Sequence, residues 1–437
     1  MPNRRDFLKL LALTSGGLIM GGCGSSSEPG GFFGLAPNGY RFFSIMDAGS
    51  TLPDGRRLES LPGGVLVNDS GKVVFYGQTS EGMGLYELEP DIDAILSGSS
   101  RRLSGARKLL HQGDTIPNSS VAAGLGTIAT NAGGNYALVV RNSEDTRTLL
   151  YLSEDSVREV AGFRTQAAGI RFGGIFGDVD LNDQNDILVV DHFTRPDLVS
   201  PQQGLFYIPD ADLTRTGILH STLDQLPEAD GFLRGLGLVD LNSNGDYIAQ
   251  VVGPALQNLQ PLRLPSQGLL RGTIGDTFGH RLLAGPESFG VSDRATDSDY
   301  TPGSVILGAR LASQADVVAH VVHKTEQEQA VFVNGVQLIE IGQPSPGGSL
   351  VRGFSAPVLS PGGSLYGLLI TEDGQELVQV GSGGSQVLLT RGDPVEGRPL
   401  ETIAFGLHSD QVDSSGRLVF IAEFTDESSA VVLGLPT

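Results

Sequence analysis

Leu238-Val-Asp-Leu-Asn-Ser-Asn-Gly-Asp-Tyr-Ile-Ala-Gln-Val-Val252 reads as an apolar strand, a turn of Asn, Ser, Gly and Asp, and a second apolar strand. Asn, Asp and Gly suit a tight hairpin because their side chains bond nearby backbone N–H groups or tolerate positive φ. The same unit recurs along the chain. It appears as Val65 to Phe75, Ile128 to Leu138, Val179 to Val189, Val358 to Leu368 and Gln411 to Ile421. A weaker copy, Ala309 to Ala319, has lost its Gly and Asn. The first residue after each turn falls at Lys72, Asn135, Asp186, Asp246, Asp316, Ser364 and Arg417, so the units stand 48 to 70 residues apart.

That period suits a four-stranded propeller blade with loops of varying length. Third strands follow the pairs, as at Gly84 to Leu88, Gly204 to Ile208 and Glu376 to Val380. Fourth strands follow at Lys108 to Asp114, Arg281 to Gly285, Gln337 to Gly342 and Gln386 to Asp393. The last unit supplies a third strand, Ala430 to Gly434, and then stops. Tyr40 to Met46, with its Gly and Pro trailer, has the form of the missing fourth. The expected fold is therefore all-β: a seven-bladed β-propeller of four-stranded blades, closed by an N-terminal strand pairing with the C-terminal blade. Closure would remove the edge strands that otherwise pair with other chains.

The 437 residues include 61 Gly and no Trp, and 18% are charged, as suits short strands and many turns. The net charge of −21 disfavours nucleic acid, since phosphate binding needs Lys and Arg. It allows cationic or metal ligands.

The chain opens Asn3-Arg-Arg-Asp-Phe-Leu-Lys9, followed by an apolar run from Leu10 to Met20 that is too short for an ordinary membrane span. Arg4, Arg5, Phe7, Leu8 and Lys9 resemble a twin-arginine export motif, and Met20-Gly-Gly-Cys23 resembles a lipobox, with Met where Leu is usual. The resemblance implies a signal peptide at 1–22, whose removal would leave a net charge of −23, and lipid on Cys23. It also implies a chain anchored to the cell envelope, at the outer membrane in a Gram-negative cell. Several acyl chains give stable anchoring where one would not. Residues 23–36 are rich in Gly and Ser and read as a flexible tether, leaving 37–437 for the propeller. Cys23 is the sole Cys, so the domain holds no intramolecular disulfide.

The repeats resemble propellers of the TolB-like type. Ser360-Pro-Gly-Gly-Ser-Leu-Tyr-Gly fits their Ser-Pro-Asp-Gly pattern with Gly362 in place of Asp, and Asn68-Asp-Ser-Gly-Lys-Val-Val-Phe fits in spacing without the Pro. The Leu-Asn-x-x-Gly turns are also similar to those of secreted bacterial repeats. The second likeness implies no activity.

Two turns carry alternating oxygen ligands. Asp240, Asn242 and Asn244 with Gly245 match the first half of a calcium loop, and Asp178, Asp180, Asn182 and Asp186 share the alternation. Calcium is the one cofactor they could take. Val251 and Val189 stand where a bidentate Glu would close each loop, and the hairpin itself demands Asn, Asp and Gly. The seven histidines, at 111, 192, 220, 280, 320, 323 and 408, form no ligand motif. No Gly-x-Ser-x-Gly elbow is present, and sialidase boxes or tryptophan-docked blades cannot exist without Trp. Arg391-Gly-Asp393 spells an adhesion tripeptide, but its Gly-Asp is the repeat's own turn.

The reading that results is a lipid-anchored binding or scaffold module for a protein, glycan or envelope partner. Four long connections, Asp91 to Arg107, Thr194 to Gln203, Gly253 to Gln267 and Ser292 to Gly303, are its candidate contact regions. The alternative is an extracytoplasmic hydrolase or lyase with a site dispersed around the axis. An axis lined by His, Asp, Glu or Arg from several blades would favour an enzyme or metal site. One lined by Gly, Ala, Val and Ser would favour binding or structure.

Overall fold

The computed structural model describes residues 39–117, 120–222, 233, 235–252, 267–276, 281–284, 305–312, 317–325, 328–334, 336–381, 384–406 and 410–437. The export and lipidation residues, the whole tether, His280, His408 and the connections at 253–266 and 285–304 lie outside them. The described strands form seven antiparallel sheets, each built in chain order. Blade one runs from Val65 to His111, blade two from Ala122 to Gly162 and blade three from Gln166 to Ser221. Blade four comprises Gly235–Leu241, Asp246–Val252, Gln267–Thr273 and Arg281–Ala284. Blade five runs from Val305 to Glu340, and blade six from Val351 to Thr390.

Blade seven is made from both ends of the chain. Tyr40–Asp47 pairs with Ser429–Pro436, which pairs with Leu418–Phe424 and then Arg398–Ala404. Tyr40 faces Pro436 and Asp47 faces Ala430, with one bulge between Ser44 and Met46. Phe43, Ile45, Leu433 and Leu435 are buried with Leu58, Phe75 and Tyr86 of the adjoining blade. Each such apolar side chain contributes about 1.5–3 kcal/mol when withdrawn from water. The closure expected from the orphan strand is thus present, register by register.

The hairpin turns explain why the repeat looks as it does. Asn68, Asn131, Asn182, Asn242, Ser360 and Asp413 each donate a backbone N–H to the carbonyl four residues on, and accept at their own carbonyl from the N–H three residues on. The side-chain oxygen of each also accepts the N–H four residues ahead. The residue at the third step has positive φ, 82° at Gly245, where any Cβ strains the backbone. In blade three that place is held by Asn185, at φ 64°. Asn is one of the few residues that tolerates it.

Blade five corrects the register. Ala312 donates to Val317, one residue further than in the other blades, so Val317 and not Asp316 is the equivalent of Asp246. The first strands are also longer than the repeat suggested. Each has an outer half, such as Val351–Phe354, and an inner half, such as Val358–Leu359, separated by a bulge or gap. The fourth strands Val157–Gly162 and Gly217–Ser221 had no apolar run to announce them.

Candidate functional site

The inner halves of successive first strands pack side by side and bring the six described hairpin turns together around the axis. Turn locks onto turn. Asp69 accepts the Ser414 N–H at 2.6 Å, and Asp183 accepts the Ala132 N–H at 2.9 Å and the Ser243 hydroxyl at 2.7 Å. Asn131 Nδ2 donates to the Asn182 carbonyl and the Asn185 side chain, at 3.1 and 3.0 Å. The stretch that identifies the repeat is therefore the rim of an axial mouth.

Beneath the rim lies a cavity of about 70 Å³, lined from all seven blades. Its charged lining is Asp69, Asp180, Asp183, Asp240, Arg310 and Asp410. The repeat supplies its own control. Two residues before the capping residue stand Leu66, Ala129 and Val358 in blades one, two and six, all apolar and buried. In blades three, four and five the same place holds Asp180, Asp240 and Arg310, also buried. Each acid reaches into the next blade: Asp180 accepts the Leu241 N–H at 2.5 Å, and Asp240 accepts that of Leu311 at 2.8 Å. Asp178, two residues before Asp180, accepts from Val239 at 3.1 Å.

Asp180 and Asp240 lie close enough for each carboxyl to act on the other. Burial raises both above the usual carboxylate range, and the mutual repulsion raises Asp240 most. Burial also raises Asp178, against the pull of the Arg310 charge. Arg310 donates to the Ala309 carbonyl at 2.8 Å, while its Nε has no hydrogen-bond partner among the described residues.

The seven residues read as a calcium set part company here. Asp178, Asp180 and Asp240 turn into the seams between blades. Asn182 and Asn242 cap their turns, accepting from Gln184 and Asp186, and from Asn244 and Asp246. Asp186 serves the outer strands, taking the Tyr207 hydroxyl at 2.8 Å and the Asp210 N–H at 2.9 Å. Asn244 sits at the turn tip with only its backbone engaged by Asn242. Among the described residues no three His, Cys, Asp or Glu converge closely enough to hold a metal ion. The described histidine side chains stand away from the axis: His111 bonds Thr79 and Gln112, His220 bonds Tyr247, and His320 stacks on Phe332.

Two hollows lie elsewhere. One of about 420 Å³ in blade six is lined by Glu376, Arg391 and Asp393. There Asp393 caps its own turn by accepting from Thr390, and Arg391 pairs with Glu401, so the tripeptide is part of the hairpin. The other, of about 660 Å³, lies at the closure and holds the Arg102–Glu396 pair. Of the long connections, Asp91 caps the short helix Ile92–Leu96 on the mouth side, while Thr194 to Gln203 joins strands on the far side. Sequence reasoning found the acids but missed Arg310. Only a position-by-position alignment of the weak fifth unit would have exposed it.

No family model and no curated protein matches the chain. Among solved structures, a Mycobacterium tuberculosis puromycin-hydrolyzing peptidase is similar over 91% of this chain and 55% of its own, at 13% identity and a TM-score of 0.48. Prolyl oligopeptidase B from Galerina marginata covers 90% and 55%, at 9% identity and TM-score 0.40. A protein from Lactobacillus plantarum covers 80% and 95%, at 14% identity and TM-score 0.39. The chain spans about half the length of the two peptidases.

Proposed function

We propose that this propeller is a binding module, exported by the twin-arginine route, anchored through lipid on Cys23, and engaging a protein, glycan or other envelope partner with its mouth face. The supporting observation is that the described chain begins on the same face as the charged axial mouth. Thr437 donates to the Gly39 carbonyl at 2.7 Å, and the Tyr40 hydroxyl donates at 2.7 Å to Gly416, a rim residue. A chain leaving Gly39 toward Cys23 therefore starts at the mouth side. Fifteen intervening residues span at most about 50 Å, which holds that face near the membrane.

The axis is charged, as a catalytic reading would want, yet its acids are engaged by backbone N–H groups and its cavity admits only a few atoms. Among the lining residues the Ser243 hydroxyl does donate to Asp183 at 2.7 Å, but this exposed pair, with Asp183 also holding the Ala132 N–H, locks one rim turn onto its neighbours. That balance favours recognition over hydrolysis or lyase chemistry.

Lipidation would leave the chain without a free thiol, so one introduced Cys is a unique attachment point. A photo-crosslinker on Ser414→Cys, at the rim, should capture an envelope component in intact cells. The same probe on Asp373→Cys, in a turn at the far end of the blade, should not. Adducts from Asp373 alone, or membrane residence and no lipid label on Cys23→Ser and wild type alike, would contradict the proposal.

A further inference from the structure

Two buried side chains at the axial cavity have donors with nothing to receive them. Arg310 is 8% exposed and its Nε is unpaired. Asn68 is 4% exposed, and its Nδ2 likewise has no partner among the described residues. Both line the cavity. The Asn68 side-chain oxygen is engaged by Ser70 and Lys72, so the orphan is the amide nitrogen alone. Buried donors left unmade cost about 1–3 kcal/mol each. An acceptor delivered from outside would recover that.

The acceptors facing them are not exhausted either. Asp180, Asp183 and Asp240 take backbone or hydroxyl donors, but a carboxylate offers roughly four lone-pair positions. A ligand that satisfies this cavity must both accept and donate. A free anion would meet five carboxyls against one guanidinium, and a bare cation would meet Arg310 and the Asn68 amide. An apolar group would strand every one of these atoms.

We propose that the axial mouth binds a neutral polyhydroxylated ligand, a sugar residue of a glycan, whose hydroxyls accept from Arg310 Nε and Asn68 Nδ2 and donate to the Asp180–Asp240 pair. This deepens the binding reading above and rests on it. The cavity takes the edge of one ring, and the rest of the ligand lies over the rim at Asp69, Asp183 and Ser243. Among the described lining residues there is no aromatic ring to stack on the sugar face. Affinity for a single residue is therefore weak, in the millimolar range, about −4 kcal/mol.

The test uses the mature Cys23→Ser chain and a panel of neutral mono- and disaccharides, followed by saturation-transfer NMR and calorimetry. Acetate, phosphate and calcium chloride form the charged arms. At least one neutral sugar should bind saturably and the charged probes should not. Arg310→Lys keeps the charge but deletes Nε and should weaken binding about tenfold, as should Asn68→Ala, each worth roughly 1.4 kcal/mol. Thermal melting of both variants checks that the blades remain folded. No saturable sugar binding, binding indifferent to Arg310→Lys, or preference for a charged probe would overturn the assignment. If the rim crosslinker still captures a partner in those cases, the binding reading survives without the sugar.

Discussion

Glu87 and Asp240 are both buried acids at seams between blades, and they are treated in opposite ways. Glu87, 1% exposed at its side chain, receives a two-pronged bond from Arg107 at 2.8 and 3.0 Å, the Tyr136 hydroxyl of the next blade at 2.5 Å, and Lys72 at 3.4 Å. Burial pushes its carboxyl up, but the Arg107 and Tyr136 bonds and the two positive charges outweigh it, so it ends below the usual range. Asp240 has one backbone donor, a neighbouring acid whose charge opposes its own, and an arginine whose Nε is unpaired among the described residues. It ends well above the usual range. The first arrangement is complete and ties blade one to blade two. The second is incomplete, and incompleteness in a well-packed ring is where function is sought.

The most drastic way to break the comparison is to open the ring on which both seams depend. Deleting Arg41–Met46 strips the outer strand from blade seven and bares the edge of Ser429–Pro436. The expected result is unfolding or aggregation, read by light scattering and thermal melting. A truncated chain as heat-stable as the parent would show that closure contributes little.

A smaller effect separates the two acids directly. Glu87→Ala strands Arg107 and Tyr136 and should cost about 3–5 kcal/mol in urea unfolding. Asp240→Asn keeps an acceptor for Leu311 and removes a carboxyl from a buried acid pair, so its cost at neutral pH should stay within about 1 kcal/mol. The pH dependence has opposite signs. Glu87, lowered in the fold, adds stability above the unfolded value near 4.3 and loses it as pH falls through its folded value. The Asp178, Asp180 and Asp240 group is raised. Its stabilisation is complete below about 4 and is lost as pH rises through the folded values. Asp240→Asn should flatten that upper slope and leave the acid limb intact. Loss of the acid limb instead would mean that the assignments of the two seams are exchanged.

Much of this was legible because the hairpin makes local demands. A capping Asn or Asp, a positive-φ Gly and flanking apolar residues must recur wherever the turn recurs, so seven blades and their closure could be counted from residues alone. Asp180 and Asp240 were visible too, but as members of a loop, since alternation along a strand says nothing about which seam a side chain enters. Arg310 was hidden because the fifth turn is one residue longer and lacks its markers. The pairing of Glu87 with Arg107 and Tyr136 joins residues 20 and 49 positions apart, and no local pattern encodes it.

The finest contrast lies within the rim. Asn185 occupies a place held by Gly in five other turns, with its oxygen accepting from Asn131 at 3.0 Å, Asn135 at 2.9 Å and the Tyr151 hydroxyl at 2.8 Å. Backbone preference alone says that Asn185→Gly relieves strain and stabilises by a few tenths of a kcal/mol. The cross-blade bonds say the reverse: Asn135 and Tyr151 lose this acceptor and Asn131 keeps only the Asn182 carbonyl, at a net cost of about 1 kcal/mol. We expect the urea midpoint to fall with an unchanged slope, because the unfolded chain gains no new exposed surface. A midpoint equal to or above that of the parent would mean that the turn was chosen for its conformation. Rim contacts between blades would then hold the mouth less firmly than the Glu87 seam holds the ring.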